Sequence, residues 1–277
     1  MLREMNRRGL LDAGAVISIK ESIEIATIVS AKNSVMIPSL LGTVFGTLLS
    51  IIYCRFIEKR SLGSIGMRKK NAVRNYLMGL AVGFVLISAI VLIAKFIGAV
   101  DIQPSRYYAK IVALYLLGFG VQGMSEEFIF RGYLMNTIGG KHSAVVAVAV
   151  SSVAFSLAHI MNPGVTFIAL FNIAIFGVFA SLYMIRFDDI WGASAIHSIW
   201  NFTQGNIYGI SVSGTTSAEN NYSTIMKTSA VSDNTLLTGG DFGIEASIIT
   251  TVVLLIACGV MAYLIKKNSN TTDSCNN

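Results

Sequence analysis

Long apolar stretches recur along this chain, separated by short polar connections. Seven of them are roughly 19 to 30 residues long, and a helix of about 20 residues crosses the ~30 Å of hydrocarbon in a bilayer. They cover residues 36–57, 75–99, 108–137, 142–160, 165–186, 190–209 and 243–265. We therefore predict an all-α fold, a polytopic transmembrane helix bundle with seven or eight spans.

The eighth span depends on residues 10–33. Lys20, Glu24 and Thr27 fall on one helical stripe there, with isoleucines elsewhere, which is typical both of an interfacial amphipathic helix and of a first span. We divide the chain into three parts, an N-terminal amphipathic helix or first span (1–35), a transmembrane domain (36–267) and a polar C-terminal tail (268–277).

The composition agrees with a protein that is solvated by lipid. Hydrophobic residues make up 53% of the chain and charged residues only 13%, and the mean hydropathy is +0.65. Soluble domains carry about 25% charged residues. A chain this apolar cannot cover a water-exposed surface with polar groups, so we expect a multi-pass protein of the cell membrane.

The charge pattern predicts the orientation. The net charge is +6, and seven basic residues cluster between the first two apolar runs, at Arg55, Lys59, Arg60, Arg68, Lys69, Lys70 and Arg74. Such a cluster is typical of a cytoplasmic loop beside anionic lipid. The long loop 210–242 is nearly free of Lys and Arg, which suits the outside, and Lys266 and Lys267 place the C-terminus in the cytoplasm. The basic residues do not alternate with aromatic ones in the way that base stacking requires, so nucleic acid is excluded as a partner.

Polar clusters interrupt three of the apolar runs. The first contains Glu126, Glu127 and Arg131. Each carboxylate in a membrane helix costs ~2.5 kcal/mol or more. Glu127 and Arg131 are spaced i,i+4 and can pair on one helix face, which leaves Glu126 without a local counter-ion. Glu126 is therefore a candidate general base.

The other two clusters supply imidazole and amide groups. His159 lies four residues after Phe155, and His197 and Asn201 are again spaced i,i+4 on one face. Such a pair can bind a metal or donate hydrogen bonds to an oxyanion. Taken singly, each cluster is also explained by a structural ion pair, an interfacial histidine or helix-packing hydrogen bonds. Packing alone does not explain why nearly all of the strongly polar residues within the apolar runs fall in only three of the seven runs.

In sequence order these clusters read EExxxR, FxxxH and HxxxN, at 126–131, 155–159 and 197–201. This order resembles the CPBP family of CAAX proteases and bacteriocin-processing enzymes, also called the Abi family. The resemblance covers about residues 65–210, with the stretch LGSIGMRKK (62–70) at its start. It implies an all-helical membrane bundle that has a water-filled cavity and cleaves peptide bonds.

By motif position, the resemblance also implies roles for individual residues. Glu126 corresponds to the catalytic base, His159 to the histidine that helps to activate water, and His197 with Asn201 to the oxyanion pair. Glu127 corresponds to a further motif position in the site, with Arg131 and Phe155 in supporting positions. The family leaves two mechanisms open, a metalloprotease with zinc or another divalent metal on Glu126, His159 and His197, and a metal-free glutamate-dependent reaction.

The hypothesis we favour is an endopeptidase that acts on a membrane-associated peptide or protein within the lipid bilayer. One alternative is a non-enzymatic bacteriocin-immunity or membrane binding protein on the same fold, which the intact motifs argue against. A second is a transporter that uses Glu126 and His159 as a proton relay. No internal repeat is detectable, which argues against the transporter.

If the three clusters form one site, their side chains must lie at similar depths in the membrane. At ~1.5 Å per residue, ideal spans place Glu126 roughly 18 Å, His197 roughly 12 Å and His159 roughly 27 Å from the inner boundary. These depths are too different for one site. We therefore expect the helix in 142–160 to be tilted or displaced so that His159 approaches Glu126.

Overall fold

The structure is a computed structural model that describes residue 29 and residues 31–215 and 222–275. Within these ranges the chain forms seven main helices, α1 (Asn33–Ile57), α2 (Ala72–Phe96), α3 (Ala109–Glu127), α4 (Ala144–Leu157), α5 (Phe167–Phe187), α6 (Trp191–Phe202) and α7 (Ile248–Cys275). Each coincides with one predicted apolar run, so the helical architecture is confirmed. The predicted N-terminal helix or first span lies almost entirely outside the described residues.

Four of these helices have the length and hydropathy of membrane spans, namely α1, α2, α5 and α7 over Ile248–Asn268. Helix α4 is apolar but has only 14 residues, about 21 Å at 1.5 Å per residue. Helix α3 carries the two glutamates in its last turn, and α6 carries His197 and Asn201. The four spans confirm a membrane protein, and the total of seven or eight spans stays a prediction.

Three helices contain or continue into wide π turns. The last segment of α1, Tyr53–Ile57, is π-helical, and α3 continues without a break through the π segment Phe128–Met135 and Asn136–Gly139. Helix α6 continues through the π segment Thr203–Ile207. Such turns occur frequently at functional sites, and the one in α3 directly follows the two glutamates.

The connections gather at two ends of the bundle. At one end, the basic loop 58–71 meets the α5–α6 turn, where Arg68 pairs with Asp188 and the indole of Trp191 donates to the carbonyl of Arg68 at 2.7 Å. Arg60 also reaches Thr137, at the end of the α3 continuation, at 2.7 Å. These contacts put three connections on one side, as the alternation of the predicted spans requires.

At the other end lies a small two-stranded sheet, which corrects the expectation of a purely all-α fold. Strand β1 (Val100–Pro104) follows α2, and β2 (Met226–Ala230) lies in the loop after α6. They pair antiparallel, with Val100 opposite Ala230 and Pro104 opposite Met226. Both strands lie in connections between the helices, where the sequence has no long apolar run from which they could have been predicted. Helix α7 continues to Cys275, into the polar tail predicted from residue 268.

Glycines allow α6 to approach its neighbours closely. A β-carbon on Gly79 of α2 would lie 2.3 Å from the carbonyl oxygen of Gly192, and one on Gly83 would lie 2.6 Å from that of Ile196. On α3, a β-carbon on Gly123 would lie 2.7 Å from the amide nitrogen of Ser198. Small residues at such contacts let membrane helices pack backbone to backbone. Helix α6, which carries two of the motif residues, is therefore held against both α2 and α3.

Candidate active site

A buried charge network connects α3 to α6. Arg131 donates from Nη1 to Glu127 Oε1 at 3.0 Å, and both side chains are fully buried. The same oxygen contacts His197 Nδ1 at 2.9 Å. The i,i+4 pair expected from the sequence is thus present, and it also orients the His197 ring so that Nε2 faces away from Glu127.

The neighbouring glutamate, Glu126, has different hydrogen-bond partners from Glu127. Glu126 Oε1 accepts a hydrogen bond from the side-chain amide of Gln122, one turn earlier. Gln122 Oε1 in turn accepts from Asn201 Nδ2 at 3.0 Å. Glu126 Oε2 is buried and has no hydrogen-bond partner among the described residues. Gln122 therefore links Asn201 on α6 to the candidate base on α3.

His159 reaches the same point from the turn that follows α4. Ser143 caps the helix by accepting from the amide of Val146, so the helix begins at residue 144 and ends at Leu157. His159 follows in a turn, where its amide donates to the carbonyl of Ser156 at 3.0 Å. The helix is shorter than the predicted span 142–160, and His159 lies in the turn that follows it.

The aromatic ring of Phe155 is the packing centre of the site. The Arg131 guanidinium lies 4.2 Å from its centroid, in cation–π geometry. The rings of His159 and His197 lie edge-on at 4.9 and 5.7 Å. Phe155 thereby fixes the spacing between the two histidines and the buried cation.

Three acceptor atoms converge on one point. Glu126 Oε2 lies 4.0 Å from His159 Nε2 and 3.8 Å from His197 Nε2. His159 Nδ1 contacts the carbonyl oxygen of Phe155 at 2.8 Å, and a carbonyl can only accept, so Nδ1 carries the hydrogen and Nε2 of the neutral ring has the lone pair. The same reasoning applies to His197, whose Nδ1 faces a carboxylate. A group between them must therefore donate hydrogens or carry positive charge.

The two histidines open onto a small cavity of about 30 Å³. Its walls combine apolar rings, mainly Phe176 and Trp200, with the polar side chains of Asn172 and Asn201. Ser213 and Glu245 contribute from the loops next to β2 and α7, so the cavity reaches the end of the bundle that carries the sheet. A polar cavity is the environment in which ionisable side chains are tolerated inside a membrane protein.

The donor types in this cluster fit zinc, for which two histidines and a carboxylate are a common ligand set. A tetrahedral zinc site with bonds of ~2.0–2.1 Å puts its ligand atoms about 3.3 Å apart, closer than the 3.8 and 4.0 Å between Glu126 and the histidines. In the described part of the chain, no three His, Cys, Asp or Glu side chains are spaced to hold a metal ion. The two Nδ1 contacts nevertheless match those that orient metal-binding histidines.

The structure brings together all the residues singled out from the sequence. Five line the cluster or the cavity, namely Glu126, Glu127, His159, His197 and Asn201, with Arg131 and Phe155 behind them. Two further polar residues were missed. Gln122 could have been found from its i−4 spacing to Glu126, whereas Glu245 stands in a loop and gives no periodic signal.

The comparison with protein families matches this part of the chain. Residues 108–203 fit the model described as type II CAAX prenyl endopeptidase Rce1-like. This segment, about a third of the chain, runs from α3 to the end of α6 and contains all three motifs. It confirms the resemblance to the CPBP family over this segment and, with the membrane helices, supports a membrane protease. No curated protein and no solved structure matches the chain.

Proposed function

We propose that this protein is an intramembrane endopeptidase that hydrolyses a peptide bond in a membrane-associated peptide or protein. One observation carries the proposal. A buried, unpartnered carboxylate oxygen of Glu126 lies within 4.0 Å of the Nε2 atoms of both His159 and His197. A water molecule fits the chemistry of this point, because it can donate hydrogens to two acceptors and offer its oxygen to a substrate.

Glu126 acts as the general base in this proposal. Its Oε2 takes a proton from the water as the water oxygen attacks the carbonyl carbon of the scissile bond. His159 Nε2 accepts the second hydrogen of the water and orients it, while Phe155 holds the Nδ1 hydrogen of that ring. The protonated Glu126 then delivers its proton to the leaving amine.

His197 and Asn201 stabilise the oxyanion that forms. In this proposal the His197 ring is protonated when the oxyanion forms, so that Nε2 donates to the oxyanion while Nδ1 stays engaged with Glu127. Asn201 uses one hydrogen of its amide on Gln122 and retains a second for the cavity. Preorganised donors of this kind contribute about 10²–10³-fold to catalysis each.

The metal-dependent form of the reaction uses the same residues. Glu126, His159 and His197 would hold zinc or another divalent cation after closing by about 0.5 Å, and the metal would lower the pKa of a bound water. To distinguish the metal-dependent from the metal-free reaction, the purified protein is incubated with a chelator and zinc is then added back. Loss and recovery of activity would indicate the metal, whereas unchanged activity would indicate the metal-free glutamate mechanism.

We further propose that α3, α4 and α6 also lie within the bilayer, completing at least seven spans. Helix α3 and its continuation extend from Ala109 to Gly139, and its charged side chains at Glu127 and Arg131 are enclosed by protein rather than lipid. The basic loop 58–71 faces the cytoplasm with the C-terminus, and the sheet faces outside. The cavity then opens towards the outer side.

The test is cleavage by purified protein in detergent, measured on a defined mixture of synthetic peptides by mass spectrometry. The conservative change Glu126→Gln keeps the size and hydrogen-bonding capacity of the side chain and removes the base. We expect cleavage to fall by at least 10²-fold while the thermal unfolding transition stays in place. Comparative proteomics of host cells with each form then searches for a peptide whose terminus changes.

Glu58→Gln is the matched control, since Glu58 is a half-buried carboxylate that pairs with Arg60 and Tyr133 at the opposite end of the bundle. It should retain cleavage. Equal activity of the wild type and Glu126→Gln would refute the mechanism. If the wild type cleaves no membrane-associated peptide, the alternative of a non-enzymatic binding protein is favoured.

A further inference from the structure

A third acidic residue, Glu245, lies on the wall of the cavity next to the candidate site. It lies in the turn Ile244–Ala246, immediately before α7, and lines the same cavity as His159 and His197. None of the three motifs contains it, and the matched family segment ends at residue 203. Its position in the cavity is therefore a feature of this chain that the motif roles do not explain.

The hydrogen bonds that the Glu245 carboxylate accepts come from uncharged groups. Its Oε2 accepts from the amide of Ser213 at 2.7 Å and from the hydroxyl of Ser213 at 3.2 Å. The carbonyl of Ser213 accepts from Asn162, three residues after His159, at 2.9 Å. Within the described ranges no Lys or Arg forms an ion pair with Glu245.

The surroundings of this carboxylate make its charge costly. Burial raises the pKa of Glu245, against the opposing effects of the Ser213 amide and of His159. The apolar rings of Phe155, Phe176 and Trp200 form the neighbouring wall. A carboxylate in such a place is destabilised unless a cation pairs with it. A positively charged group that enters the cavity would be attracted with little screening by water.

We propose that Glu245 is a specificity-determining residue that binds a Lys or Arg side chain of the substrate next to the scissile bond. The inference rests on the proposed endopeptidase function, because it assigns the chemistry of the substrate for that same site. Phe176 and Trp200 contact the aliphatic part of such a side chain, and the carboxylate binds its charged end. Substrates with a basic residue beside the cleavage point are then preferred over neutral ones.

A purely structural role, tying the loop at Ser213 to α7, makes a different prediction. Glu245→Gln keeps an oxygen that accepts from the Ser213 amide, so it preserves the tie and removes only the charge. Glu245→Asp keeps the charge on a shorter side chain. Asp241→Asn is the matched control, because Asp241 is an exposed carboxylate four residues earlier that does not line this cavity.

The first measurement is binding, which needs no catalysis. Nα-acetyl-arginine amide and its neutral citrulline analogue are titrated against each variant, and the shift in thermal unfolding is recorded. We expect the arginine compound to bind at least about 10-fold more tightly to the wild type, to Asp241→Asn and to Glu126→Gln. The preference should vanish in Glu245→Gln and persist in Glu245→Asp. Equal binding of the two compounds to the wild type overturns the proposal even if Glu245→Gln does not fold.

The second measurement is the cleavage profile on the peptide mixture. Wild type and Asp241→Asn should cleave sites flanked by Lys or Arg about 10-fold faster than matched neutral sites, and Glu245→Gln should lose this ratio. An unchanged ratio in Glu245→Gln overturns the role of Glu245 and leaves the endopeptidase standing. Absent cleavage with selective arginine binding refutes the endopeptidase and leaves the cation site standing.

Discussion

Replacing Arg131 with methionine removes a buried cation while keeping an apolar side chain of comparable length. In the structure, Arg131 and Glu127 are both 0% exposed and are 3.0 Å apart. The variant leaves the Glu127 carboxylate buried with His197 as its remaining partner. Breaking one side of a buried ion pair costs about 3–5 kcal/mol. We expect a loss of this size, together with a strong loss of activity as the Phe155 ring loses its cationic neighbour.

The assay is reversible unfolding in mixed detergent micelles, with the double variant Glu127→Gln/Arg131→Met as the decisive comparison. Because the double variant removes both charges, it should recover most of the stability while staying inactive. Arg68→Met is the control, since Arg68 and Asp188 are 52% and 68% exposed, and exposed pairs contribute about 0–1 kcal/mol. A loss below about 1 kcal/mol in Arg131→Met, or a double variant no more stable than the single one, would refute the reasoning.

Three further experiments test other parts of the structure. Gln122→Leu breaks the link from Asn201 to Glu126, so we expect a loss of turnover of about 10-fold or more with little change in stability, measured with the same peptides. Gly123→Ala should lower the unfolding free energy by about 1–3 kcal/mol, because its β-carbon would lie 2.7 Å from the Ser198 amide nitrogen, whereas Gly120→Ala meets nothing within 4 Å and should be neutral. In a variant without the three native cysteines, an impermeant thiol reagent added outside whole cells should label a cysteine introduced in 222–235 and not one in 60–70, and the reverse pattern would invert the proposed orientation.

The helices could be predicted from the sequence because their signal is long. An apolar run near 20 residues is rare by chance in a soluble protein, and seven such runs gave seven helices. The ends were less accurate, as α4 shows. Residues 142, 143 and 158–160 continue the apolar pattern or border it, but the Ser143 cap and the turn at His159 set the true helix ends. Hydropathy does not detect these local hydrogen bonds.

The centre of the site could be predicted for a different reason. Burying a carboxylate or an imidazole inside a membrane helix costs free energy, so such residues are rare there. Their positions can therefore be recognised in the sequence without any knowledge of the fold. Gln122 carries no charge and costs less to bury, so it did not stand out. Glu245 lies in a polar loop, where a carboxylate is unremarkable by composition. Only the tertiary structure shows that this loop folds over the cavity.

The network around Arg131 explains why stability alone does not account for these buried charges. Arg131 Nε and Nη2 and Glu127 Oε2 find no hydrogen-bond partner among the described residues, so the pair is incompletely satisfied in the core. Apolar side chains of similar volume are often as stable as a buried ion pair, or more so. Apolar side chains could not accept the hydrogen bond that Glu127 Oε1 makes with His197 Nδ1 at 2.9 Å. They also could not make the cation–π contact that holds Phe155 between both histidines. The charges are therefore best explained by the chemistry of the cavity, and this is why the double variant should separate stability from activity.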